Sequence, residues 1–217
     1  MYVGRILAIG KTKAGFNSLM YRVSSRSFPS RKMVELDGGL TVLPKEGFEK
    51  DLSRNPYISY TALRVTKGWA IATNGSQTEP ITEKVAQGVP VRDAMVHTLI
   101  ALDYEKDDFS TPRIAAAVPL IGDTGWLGIV RNNGLEVKEI QLEVGKANFL
   151  ATYEIASIDP SRTSDFDAIS ATNAAQFVID RASFGGLEKP VTSGAALAGS
   201  ESFTLGHFTV SAETSQT

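Results

Sequence analysis

A chain of 217 residues, 42% hydrophobic and 21% charged, can bury one sizeable core, and its composition excludes a disordered polymer. A formal net charge of −2 excludes a general pull toward nucleic acid or an anionic membrane, so an anionic ligand must be held by a local cluster of positive groups. With no cysteine there are no disulfides, thiolate nucleophiles or Cys–zinc sites, and His97 and His207 alone fall short of the ligand set of a catalytic zinc.

Residues 2–9 read as a first strand. They lack the charged start, long apolar centre and small-residue cleavage site of a secretory leader, and no later run approaches the roughly 20 apolar residues of a membrane helix. Residues 19–24, 40–43, 60–66 and 69–73 are short apolar or β-branched runs punctuated by Gly, Asn or Pro, and 65–69 reads as a hairpin. A helix is predicted over 80–87, opening on proline and stopping at Gly88, with Ile81 and Val85 on one face. A longer one is predicted over 91–104, where Met95, Leu99 and Leu102 recur at helical period. Strands follow at 114–120, 126–130, 135–142 and 148–153, with Asn133-Gly134 expected to turn the second hairpin because both tolerate positive φ. Ser170 is placed as the N-cap of a third helix carrying Ala174, Phe177, Val178 and Ala182, ended by Gly185-Gly186. Strands at 191–197 and 203–210 complete the pattern, and the polar tail 211–217 is expected to fray. The whole predicts an α+β fold in one domain, residues 1–210, with two sheets packed together and helices outside.

Four segments carry chemistry. Residues 21–32 hold Arg22, Arg26, Arg31, Lys32 and four serines with no acid, at a strand end running into a proline turn. Guanidinium donors match phosphate oxygens, although a solvated basic loop would have the same composition. Asn74-Gly75-Ser76-Gln77-Thr78 is a strand-to-helix turn of the kind that aims backbone N–H groups at an anion. Residues 103–113 set Asp103, Glu105, Asp107 and Asp108 beside Lys106 and Arg113. That arrangement suits proton-affinity tuning or Mg²⁺, and equally a charged helix end. In 54–60, Tyr57 and Tyr60 offer hydroxyl donors or stacking faces.

In order and spacing, MYVGRILAIG at 1–10, YRVSSRSFP at 21–29, RNPYISY at 54–60, NGSQT at 74–78, DYEKD at 103–107, TPRIAAA at 111–117, TYE at 152–154 and PVTSGAA at 190–196 resemble the archaeal-type IMP cyclohydrolase family. The resemblance thins beyond about residue 155, and Glu79 stands where the pattern would have aspartate. It implies a four-layered α/β/β/α fold like that of N-terminal nucleophile hydrolases, but Tyr2 after Met1 offers no such nucleophile. It further implies closure of the purine ring on a formylated carboxamide ribotide, in a cytoplasmic homo-oligomer, a tetramer by resemblance, with neither cofactor nor metal and no nucleic-acid or membrane partner.

On that basis Tyr60 and Arg22 are expected to polarise and protonate the formyl oxygen. Glu105 is expected to take a carboxamide proton, with Asp103 positioning it. Ser24, Arg26, Ser27, Thr111 and Arg113 are expected to hold phosphate and ribose, Asn74, Gly75 and Ser76 to line the pocket, and Asn55 to orient Tyr60. Two other readings compete: an amidohydrolase on the same scaffold, and a non-catalytic purine-nucleotide-binding protein.

Overall fold

The computed structural model describes residues 1–211, so the tail expected to fray lies, beyond Ser211, outside the described residues. The strands are β1 Arg5–Lys11, β2 Asn17–Ser24, β3 Arg31–Leu36, β4 Gly39–Pro44, β5 Tyr60–Thr66, β6 Trp69–Thr73, β7 Arg113–Pro119, β8 Thr124–Arg131, β9 Gly134–Gln141, β10 Lys146–Ala151, β11 Thr163–Asp165, β12 Pro190–Ala198 and β13 Phe203–Thr209. The helices are α1 Asp51–Arg54, α2 Thr78–Ala86, α3 Val91–Leu102 and α4 Ala171–Asp180. One antiparallel sheet runs β11-β10-β1-β2-β12-β13 and the other β3-β4-β5-β6-β7-β8-β9.

Period-two alternation decides what each sheet buries. Along β1, Leu7 and Ile9 point into the core shared by both sheets, while Ile6 and Ala8 point the other way, against Ala174, Phe177 and Val178 of α4. Along β2, Leu19, Tyr21 and Val23 face the shared core and Met20 faces α4. Ile71, Ala115 and Ala117 of the second sheet pack on Ile81, Val85, Met95 and Leu99 of α2 and α3. The expectation of an α+β fold with two packed sheets and outer helices is met.

Local chemistry accounts for the agreements and the departures. The β3–β4 and β5–β6 hairpins turn on Asp37-Gly38 and Lys67-Gly68, all four at positive φ, as a two-residue turn matching the strand twist demands. The β8–β9 turn instead falls on Asn132-Asn133, one residue earlier than expected: Gly134 already pairs with Arg131, and neither asparagine has positive φ. Helix α4 begins as predicted, Ser170 Oγ accepting from the Asn173 N–H at 3.1 Å. It stops at Asp180, before the glycine pair, because Arg181 is extended. Helix α2 starts at Thr78, two residues before the proline that marked it. Strands β3 and β11 had no clear apolar run to announce them.

Candidate active site

The first residues of β1, β3, β5 and β7 meet at one end of the space between the sheets. Parity puts Arg5 on the inner face with Leu7, Arg31 with Met33, and Tyr21 with Leu19. The Tyr21 and Tyr60 hydroxyls lie 2.6 Å apart, with their rings edge to face. Arg31 is 1% exposed. Its Nε donates to the Phe28 carbonyl at 3.0 Å, but Nη1 and Nη2 have no hydrogen-bond partner, and neither does Nε of Arg5. Burial, with Arg5 as a neighbouring cation, lowers the Arg31 guanidinium to about 10. Burial also pulls Arg5 down, but Tyr60, Tyr21 and Glu105 outweigh it and hold Arg5 above the usual arginine value. Buried guanidinium donors without acceptors cost free energy unless a ligand supplies oxygen, so this cluster is suited to an oxyanion.

Beside the cluster opens a cavity of about 670 Å³. Arg5 and Glu105 lie deep in it, Tyr2, Thr111 and Tyr153 form a wall, and exposed Tyr57 and Phe109 stand at the mouth. Glu105 comes from the loop after α3. Its N–H donates to the Thr111 carbonyl at 2.8 Å, and the loop is bounded by Asp103 and Ser110, both non-glycine residues at positive φ. Burial raises the Glu105 carboxyl, Arg113 and Arg5 partly hold it down, and Asp107 pushes it further up. Arg113 Nη1 sits 3.5 Å from Glu105 Oε1 and donates to Gln77 Oε1 at 3.1 Å. Gln77 in turn donates to Asn74 Oδ1 at 2.7 Å, and Asn74 Oδ1 also accepts the Ile114 N–H at 2.8 Å. A Cβ on Gly75 would come within 2.9 Å of Gln77 Oε1 and 3.1 Å of Arg113 Nη1, so glycine leaves room for this brace.

The residues singled out from sequence divide accordingly. Arg26, Ser27, Asn55, Glu105 and Thr111 line the cavity. Tyr60 belongs to the buried cluster behind it, and Asn55 caps the turn Pro56–Ile58 by accepting the Tyr57 N–H at 2.9 Å rather than orienting Tyr60. Arg113, Asn74 and Gly75 brace Glu105 from behind. Ser76 is exposed, and Asp103 is turned to solvent, holding Lys106 at 2.5 Å. Arg22 does not reach the cavity: its parity is that of Met20, and it is fully buried toward α4. Its guanidinium donates to the carbonyls of Val178 (3.1 Å), Ile179 (2.9 Å), Phe184 (3.1 Å) and Leu187 (2.8 Å), and its Nε to Ser24 Oγ (3.0 Å). Both Arg22 and Ser24 are thereby committed to structure. Sequence reading gave no role to Arg5, Arg31, Tyr21, Gln77 or Tyr153, although segments it singled out contain them. Strand parity would have singled out Arg5 on the first strand, whereas Arg31 opens β3, which no apolar run announced.

A donor-rich buried cluster beside a desolvated carboxylate suits a ligand on which negative charge develops next to a proton to be removed. Among the described residues no three His, Asp or Glu side chains gather as a metal site, and no helix is long and apolar enough to cross a membrane. Residues 2–201 match the model of the IMP cyclohydrolase-like proteins, and the chain belongs to that family. It is 41% identical over 198 residues to an IMP cyclohydrolase of Methanococcus maripaludis strain C6, covering 91% of this chain and 95% of that one. It is 40% identical over 196 residues to that of Methanosphaera stadtmanae, covering 90% and 94%. A Halobacterium salinarum IMP cyclohydrolase shares 44% over 176 residues, covering 81% and 83%.

Proposed function

We propose that this chain is an IMP cyclohydrolase, closing 5-formamido-1-(5-phosphoribosyl)imidazole-4-carboxamide to IMP with loss of water at the end of purine biosynthesis. The observation that carries this is the pairing of unpartnered buried guanidinium donors, Arg31 and Arg5, with the desolvated carboxyl of Glu105 beside one cavity.

The chemistry asks for that pairing. The carboxamide nitrogen forms a bond to the formyl carbon while its proton passes to Glu105. Charge gathers on the formyl oxygen, which Arg5 meets from the cavity wall while Tyr60 and Arg31 stabilise it from the buried cluster behind. Glu105 returns that proton to the oxygen to give the carbinolamine, whose hydroxyl then leaves with the proton of the former formamido nitrogen as water while the C=N bond of the new ring forms. Arg26 and Ser27 hold the phosphate, and Thr111 lies beside the ribose. Arg31 and Arg5 thus take the role first expected of Arg22, and Arg113 acts through Glu105. Folding the substrate so that its two groups meet supplies much of the acceleration.

We further read the architecture as the four-layered α/β/β/α sandwich of N-terminal nucleophile hydrolases without their nucleophile, working without metal in a cytoplasmic homo-oligomer. Chelator-treated protein incubated with the formamido ribotide should raise the absorbance of IMP. Glu105→Gln should lower kcat by about 10²–10⁴ and Arg31→Met by about 10²–10³, each with IMP binding retained. Tight IMP binding without any interconversion by the unmodified protein would favour the non-catalytic reading instead.

A further inference from the structure

We propose that Tyr153 is a specificity-determining residue that accepts a hydrogen bond from a ribose hydroxyl of the substrate, held in that role by a chain of fixed polarity from Tyr153 through Thr111 to Asp107. The inference rests on the nucleotide reading above and adds the sugar that the site selects.

The polarity follows from counting protons. Asp107 accepts twice from Thr111: its Oδ1 from the backbone N–H at 2.8 Å and its Oδ2 from the hydroxyl at 2.7 Å. A carboxylate has no proton to give, so the single hydroxyl proton of Thr111 is directed at Asp107. The Tyr153 hydroxyl lies 2.6 Å from Thr111 Oγ1. With the Thr111 proton committed, the proton between these oxygens is that of Tyr153. Tyr153 therefore presents to the cavity an oxygen with lone pairs only, which can accept and cannot donate. Burial raises its hydroxyl above the ordinary tyrosine value, with the Thr111 bond and Arg5 partly opposing, so the proton stays on.

Position selects the donor. The Tyr153 ring stacks on Tyr2 with centroids 6.0 Å apart at 23°, and the Arg26 guanidinium covers Tyr2 at 4.4 Å. On its other side Thr111 accepts the Glu105 N–H through its carbonyl. Tyr153 thus stands between the phosphate-holding arginine and the carboxyl that acts on the base. In a nucleoside monophosphate the group between base and phosphate is the ribose, whose hydroxyls donate, whereas a phosphate oxygen would meet an acceptor.

The test is calorimetric titration of IMP and its 2′-deoxy and 3′-deoxy analogues into the unmodified protein, Tyr153→Phe, Thr111→Ser and Thr111→Val. The unmodified protein is expected to bind one deoxy analogue about 10-fold more weakly than IMP. Tyr153→Phe should bind that analogue and IMP equally. Thr111→Ser, which keeps the chain, should retain the preference, and Thr111→Val, which breaks it, should lose most of it. A preference that survives in Tyr153→Phe, or none in the unmodified protein, overturns the assignment while leaving the cyclohydrolase reading intact. Failure of the unmodified protein to bind any of the three would bring down the nucleotide reading and this inference with it.

Discussion

Replacing Arg22 with methionine separates a structural arginine from a catalytic one. The substitution keeps an unbranched apolar stem but strands four carbonyls that now accept from the guanidinium at 2.8–3.1 Å, two of them in the last turn of α4. Each buried carbonyl left without its donor costs about 1–3 kcal/mol; relief of the buried charge offsets part of the sum, leaving a net loss of about 3–5 kcal/mol. The charge is indeed uncomfortable: burial lowers Arg22 to about 10, with Asp180 opposing. In a chain of this size each kcal/mol moves the melting temperature by about 2–4 °C, so a fall of roughly 6–20 °C is expected. Thermal unfolding by circular dichroism reads the loss. Initial rates well below the transition, corrected for the folded fraction, read catalysis and should stay within about 2-fold, because a residue away from the site leaves transition-state binding alone. A variant that melts normally but has lost turnover would place Arg22 on the substrate and refute the reasoning.

Other expectations follow from the brace behind Glu105. Arg113 holds the Glu105 carboxyl down, so Arg113→Met should move the acid limb of kcat/KM to higher pH, read from a pH–rate profile. A buried carboxyl with a raised value favours the folded state when protonated, and that contribution is lost as pH rises through the raised value. Glu105→Gln should therefore melt higher than the unmodified protein at neutral pH, with the gap closing below the ordinary glutamate range. Gly75→Ala has no positive φ to violate, but its Cβ would push on the Gln77–Arg113 bond, so kcat should drop by about 10-fold while stability changes by less than about 2 kcal/mol. Urea unfolding beside steady-state kinetics would check that split.

Much of the fold could be read from local pattern. The runs at 60–66 and 69–73 coincide with β5 and β6, since alternation and a Lys-Gly turn bound them on both sides. The edge strand β3 escaped because it opens on Arg31 and Lys32 and leaves Glu35 and Leu36 exposed. The site was legible in part. Glu105, Arg26 and Thr111, which line the cavity, stood out because charge and hydroxyls cluster along the chain there. Arg5 and Arg31 did not, because their meeting depends on two sheets facing each other, a relation that no window of neighbouring residues encodes. Arg22 shows the complementary error. It was chosen for its residue type and its basic surroundings, whereas one step along a strand reverses the face a side chain sees.

Asp103 carries a last consequence. It ends α3 with φ 54° and ψ −174°, a conformation that glycine adopts freely and other residues hold only at a cost of about 1–3 kcal/mol. Its carboxylate looks outward, so what it contributes to Glu105 two positions later is direction of the main chain, supplied by a stiff residue where a supple one would be more comfortable. A search for hardier variants would be drawn to Asp103→Gly for its relief of strain. The same exchange would slacken the leash on the carboxylate, so at this position thermal robustness and accurate aim pull in opposite directions.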